Sequence, residues 1–168
     1  MGGACTNIVT EYRNRKREHT AKYTIEIDCM TDDEIDEQLR ELLWSYRQFY
    51  LRDLLEDKMV TGDELKLRGK QSKLAWDTLR AAFGNMPGST EMLTENWLQD
   101  SSDGAEERIQ AQLKLWTKRL PWPAEVKQGG WFGTADKIKE CNEKTMAFLK
   151  GNLWPFVKVI RYISKSLP

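Results

Sequence analysis

Apolar positions along the chain change their period more than once. In "KYTIEIDC", Tyr23, Ile25 and Ile27 alternate with Thr24, Glu26 and Asp28, the period of two expected of a short strand or an extended arm. No partner strand stands out for it. From Thr31 the period lengthens. Thr31, followed by Asp32, Asp33 and Glu34, has the form of a helix cap with acids at the positive end of the helix dipole. Ile35, Leu39, Leu42, Tyr46 and Phe49, and more loosely Leu54, then recur at helical spacing. "VTGDEL" repeats the capping pattern at Thr61 and Glu64, and Leu65, Leu74, Ala75, Leu79, Ala82 and Phe83 mark a second helix ending near Gly84. A short third helix carries Met92, Leu93 and Trp97. After the "DSSDG" breaker, Asp103 and Glu106 are expected to cap a fourth, whose stripe is Ile109, Leu113, Trp116 and Leu120.

"PWPAEVKQGGWFG" reads as a loop, because Pro121 and Pro123 remove backbone donors and its glycines loosen the rest. Trp122, Trp131 and Phe132 would anchor it, and Trp122 and Trp131 are candidate docking residues. Thr134 is expected to open a long last helix with Ile138, Cys141, Thr145, Phe148, Phe156, Ile160 and Ile163 near one face and a kink before Pro155. These elements predict an all-α fold, an antiparallel bundle of four to five helices with a short extended N-terminal arm. The expected organisation is a basic arm over residues 1–22 and a single helical domain over residues 23–168.

Composition agrees with a folded chain: 40% of the 168 residues are hydrophobic and seven are Trp, enough to build a core. The formal net charge is zero, so nothing draws the chain as a whole to nucleic acid, and no nucleic-acid partner is expected. Charge is unevenly spread. Arg13, Arg15, Lys16, Arg17 and Lys22 make the start positive, Glu26 to Asp57 is acidic, and from Lys144 to the end there is no acid. The acidic first helix is expected to lie against the basic last one, and the stripe in "WPFVKVIRYISKSLP" is read as core rather than as a membrane-surface helix.

Candidate chemistry is sparse. His19 is the single histidine and sits in the basic run, which leaves no histidine-based triad or cluster. Cys5, Cys29 and Cys141 form no metal-binding spacing, and Cys141 falls on a core stripe. The consecutive acids of "TDDEIDE" point around a helix instead of converging on a cation. "QGGWFGTADK" lacks the spacing of a phosphate-binding loop. No catalytic residue, cofactor or metal is therefore expected, and the chain reads as non-enzymatic.

The opening Met1-Gly2-Gly3-Ala4-Cys5-Thr6 resembles the signal M-G-x-x-x-[ST], which implies myristoylation of Gly2 where Met1 is the natural start. Cys5 would then be placed for palmitoylation. One myristoyl chain holds a membrane only marginally, so a second signal is needed, and Arg13, Arg15, Lys16 and Arg17 offer one through anionic lipid headgroups. The expected function is a non-enzymatic helical adaptor, scaffold or membrane-acting module tethered to the cytoplasmic face of a membrane by N-terminal acylation and the basic patch. The alternative is an untethered intracellular protein–protein interaction domain, excised from a longer chain or whole.

Overall fold

The structure, a computed structural model, describes residues 8–51, 61–86, 92–127 and 129–165. The chain divides into two compact units, one over residues 33–120 and the other over residues 6–32 and 121–168.

The first unit is helical. It holds α1 (Asp32–Tyr50), α2 (Gly62–Phe83), the single turn α3 (Glu95–Leu98) and α4 (Ala105–Lys118). Thr61 caps α2, its side chain accepting from the Glu64 N–H at 3.2 Å, and Thr94 does the same for α3 from Trp97 N–H. Before α4 the residue in the capping position is Gly104, in the left-handed region at φ 71°, and no side chain caps this helix. The core gathers Leu39, Leu42, Leu79, Phe83, Leu98, Ile109 and Leu113, all at most 2% exposed. Trp116 packs at 5.8 Å from Phe83 and 5.1 Å from Trp97. The buried Tyr46 hydroxyl donates to Glu95 Oε1 at 3.1 Å and accepts from Gln99 Nε2 at 2.8 Å. Arg47 donates to the carbonyls of Leu98 and Asp100 just past α3, where a helix end leaves acceptors unpaired.

The second unit carries a sheet, which overturns the all-α expectation: the protein is a mixed α/β chain, with five α-helices and four strands among the described residues. The strands are β1 (Val9–Asn14), β2 (Tyr23–Cys29), β3 (Gly130–Ala135) and β4 (Val157–Ser164), in the order β1-β4-β2-β3. β4 runs parallel to β1 and antiparallel to β2, and β2 runs antiparallel to β3. Helix α5 (Ile138–Leu149) connects β3 to β4, two parallel strands with β2 between them, so β3-α5-β4 is a split β-α-β unit.

The segment read as one long last helix is thus α5, a short turn of 3₁₀ helix at Trp154–Phe156, and a central strand. Gly151, at φ 82°, stops the helix, and Val157, Val159, Ile160 and Ile163 are β-branched residues that sit better on a pleated surface than in a helix. "GWFGTA", read as loop, is strand β3. One of its glycines serves packing. A Cβ at Gly133 would overlap the indole ring of Trp131, which lies two residues back on the same face. That ring packs 5.4 Å from Phe148 of α5, above Ile25, Ile27 and Ile160, each at most 1% exposed.

Gly133→Ala should therefore cost about 1–3 kcal/mol in chemical denaturation, the usual penalty of an overpacked site, and should shift Trp131 emission to the red. A variant as stable as the parent, with unchanged emission, would contradict this packing.

Candidate anionic-surface interface

Parallel pairing of β1 with β4 brings the C-terminal ends of both strands to one edge of the sheet, and the antiparallel β2 starts there too. Asn14 and Tyr23 both face Ser164. Three neighbouring strands span about 10 Å, comparable to the Debye length of about 8 Å at physiological salt, so charges on their ends act together. Those charges are positive. Arg13 is the penultimate residue of β1, Arg15, Lys16 and Arg17 follow the strand, Lys22 precedes β2 and Lys165 follows β4, and all six are exposed. Glu18 is the one acid in the turn.

The turn is ordered by its own hydrogen bonds. Arg15 N–H donates to Ser164 O at 2.9 Å, Lys16 N–H to His19 Nδ1 at 3.0 Å, and His19 N–H returns to Lys16 O at 3.1 Å. Lys22 Nζ lies 5.6 Å from the centre of the Tyr23 ring. The basic run is thus a strand end and a built turn, where an extended arm had been expected. Of the four basic residues singled out in the sequence, Arg13 carries an ion pair, to Glu11 at 2.7 Å. Gly2 and Cys5 lie outside the described residues.

The same sheet has an acidic face. The registers set Phe132, Glu26, Arg161 and Glu11 in one row across β3, β2, β4 and β1. Arg161 meets Asp28 at 2.8 Å, Glu11 at 3.2 Å and Glu26 at 4.0 Å. The Asp28 hydrogen bond and then the neighbouring carboxylates hold its guanidinium even more firmly protonated than usual. Glu11, Glu26 and Asp28 around Arg161 bind three strands together, and Arg13, paired with the same Glu11, joins this face to the basic end.

Elsewhere the chemistry is structural. In the helical unit a cleft of about 360 Å³ is lined by Asp36, Arg40, Glu106, Glu107, Gln110, Ala111 and Lys114. Asp36 accepts from Gln110 Nε2 at 2.9 Å and pairs with Arg40 at 3.4 Å and Lys114 at 3.6 Å; the Gln110 bond is the main reason its carboxyl titrates below the ordinary range. α1 carries its own basic partners in this way, and the basic last helix expected to cover it does not exist. Burial, with Asp28 adding to it, raises the Cys29 thiol from 9.0 to about 11, and burial raises Cys141 as well, the opposite of what a nucleophile needs. Among the described residues no group of three or more His, Cys, Asp or Glu side chains is placed to hold a metal ion. Trp131 lies in β3 as described, half-buried, and the half-buried Trp122 ring is 6.4 Å from Phe156.

No family model, curated protein or solved structure matches the chain. The site therefore rests on its own geometry. The sequence shows Arg13, Arg15, Lys16, Arg17 and Lys22 as one basic run, but not Lys165 as their companion. The signal was present in the acid-free C-terminal stretch, and what was missing was the pairing of β1 with β4.

The Cys29 thiol gives a test of the buried sheet. Its folded pKa lies above its unfolded one, so its contribution is complete below pH 9 and is lost as pH rises toward 11. Cys29→Ala should therefore lose less stability than the parent between those pH values when both are followed by thermal melting; parallel curves would contradict burial of the thiol.

Proposed function

We propose that the protein is a non-catalytic module that binds the anionic cytoplasmic face of a membrane through the basic end of its sheet, with acylation at Gly2 and Cys5 as the second hold. The observation that carries this reading is the gathering of Arg13, Arg15, Lys16, Arg17, Lys22 and Lys165, drawn from both ends of the chain, at one end of one sheet. Each cation near an anionic leaflet contributes about 1 kcal/mol, so a group of this size supplements a single acyl chain to a useful degree. The geometry is compatible with both holds acting together. β1 spans about 20 Å between its ends, and residues 2–8, when extended, would reach about 23 Å, enough for Gly2 to return along the strand to the basic turn.

The unacylated full chain should sediment with phosphatidylserine-rich vesicles and not with phosphatidylcholine vesicles, and salt should release it. Lys165→Glu should weaken binding about as much as Arg15→Glu, although the two lie at opposite ends of the chain. In eukaryotic cells, Gly2→Ala should shift the protein from membranes to the cytosol. Equal binding to both vesicle types, or membrane attachment untouched by Gly2→Ala, would overturn the reading.

A further inference from the structure

β1 is an edge of the sheet, and among the described strands nothing pairs with its outer side. Val9, Thr10, Tyr12, Arg13 and Asn14 are all exposed, and β1 contains neither proline nor a break in its register with β4. Natural edges are usually blunted by such devices, so a regular, exposed edge is a ready template for another strand. Its free groups can be assigned. Arg15 N–H points to β4, and backbone direction alternates along a strand, so Arg13 and Glu11 also bond to β4. Thr10, Tyr12 and Asn14 therefore present their N–H and C=O groups outward.

We propose that this edge docks antiparallel on the β1 of a second copy, with Tyr12 facing its own counterpart on the two-fold axis. Charge complementarity selects both occupant and register. Continuity of the two sheet faces requires that like-facing residues oppose each other. Centring the pair on Glu11 sets Glu11 against Glu11, centring on Arg13 sets Arg13 against Arg13, and centring on Thr10 leaves Arg13 beyond the paired strand. Centring on Tyr12 sets each Glu11 opposite the second copy's Arg13. It also pairs Thr10 with Asn14, and every outward backbone group then meets a partner. On the other face Tyr12 already stacks on Tyr162 at 5.5 Å, so the dimer would continue this into a row of four tyrosines across the axis. Such a contact is self-complementary and closed, as two-fold interfaces are. The inference goes beyond the membrane reading and does not depend on it.

Sedimentation equilibrium of the unacylated full chain should show a dimer. Tyr12→Pro removes an outward donor but none of the β1–β4 bonds, so it should give a monomer with unchanged far-ultraviolet circular dichroism. Arg13→Glu places like charges opposite each other and should weaken dimerisation about tenfold or more. Register is read by oxidation on a Cys5→Ser background: Tyr12→Cys should form a disulfide-linked dimer. Thr10→Cys should not, since its counterpart would lie about 13 Å away along the strands, beyond the reach of a disulfide. A parent protein that stays monomeric at the highest soluble concentration, a dimer that survives Tyr12→Pro, or equal cross-linking at positions 10 and 12 would each overturn the proposal. The first of these would leave the edge to some other extended segment.

Discussion

The parallel pairing of Val9–Asn14 with residues 159–164 is the constraint on which the rest of the second unit depends. It makes β4 a central strand, bonded on both sides. It also sets Glu11 beside Arg161, partners 150 positions apart in sequence, and so completes the ring of carboxylates around that guanidinium. Without β1, Arg161 would keep Asp28 and the more distant Glu26, and the outer backbone groups of β4 would lack partners. Closing so long a loop carries an entropic cost, but that cost grows only slowly with length, and an intervening unit with its own core shortens the effective loop. The helical unit supplies such a core through Leu39, Leu79, Leu98 and Leu113.

Charge follows topology. Because β1 and β4 run the same way, their C-terminal ends coincide, and the cations that follow each strand fall together. Alternation along the strands sends Glu11, Glu26 and Asp28 to a face where Arg161 stands among them. One small sheet thereby has a basic end and an acidic face while the chain as a whole carries no net charge. In the helical unit the charges are instead spent within helices and between α1 and α4, as Arg68 with Glu64 and Lys114 with Asp36 illustrate.

How much of this was legible in the sequence depends on the kind of signal. Helices α1, α2 and α4 announced themselves by stripes of Leu and Ile, and α2 by its Thr61 cap, because those signals are local. β2 was equally plain, since one of its faces is buried and its alternation is clean. β1 is exposed on both faces and shows no alternation, so its six residues looked like a basic arm. β4 is a central strand with buried residues on both faces; Val157, Ile160 and Ile163 are spaced by three, and the same spacing satisfies a helical stripe. In β3, Gly133, which makes room for Trp131, resembles loop punctuation. The basic turn was visible as composition, Lys22 included, but Lys165 joins it only through strand pairing, which no single segment encodes.

Amide hydrogen exchange along residues 9–15, measured at a dilution where the chain is monomeric, tests the β1–β4 pairing most directly. The account predicts alternation: the Glu11, Arg13 and Arg15 amides, bonded to β4, should exchange slowly, whereas those of Thr10, Tyr12 and Asn14 should exchange at nearly the rate of an unstructured peptide. Uniformly fast exchange through this stretch would contradict the pairing, and with it the gathering of cations at one end of the sheet.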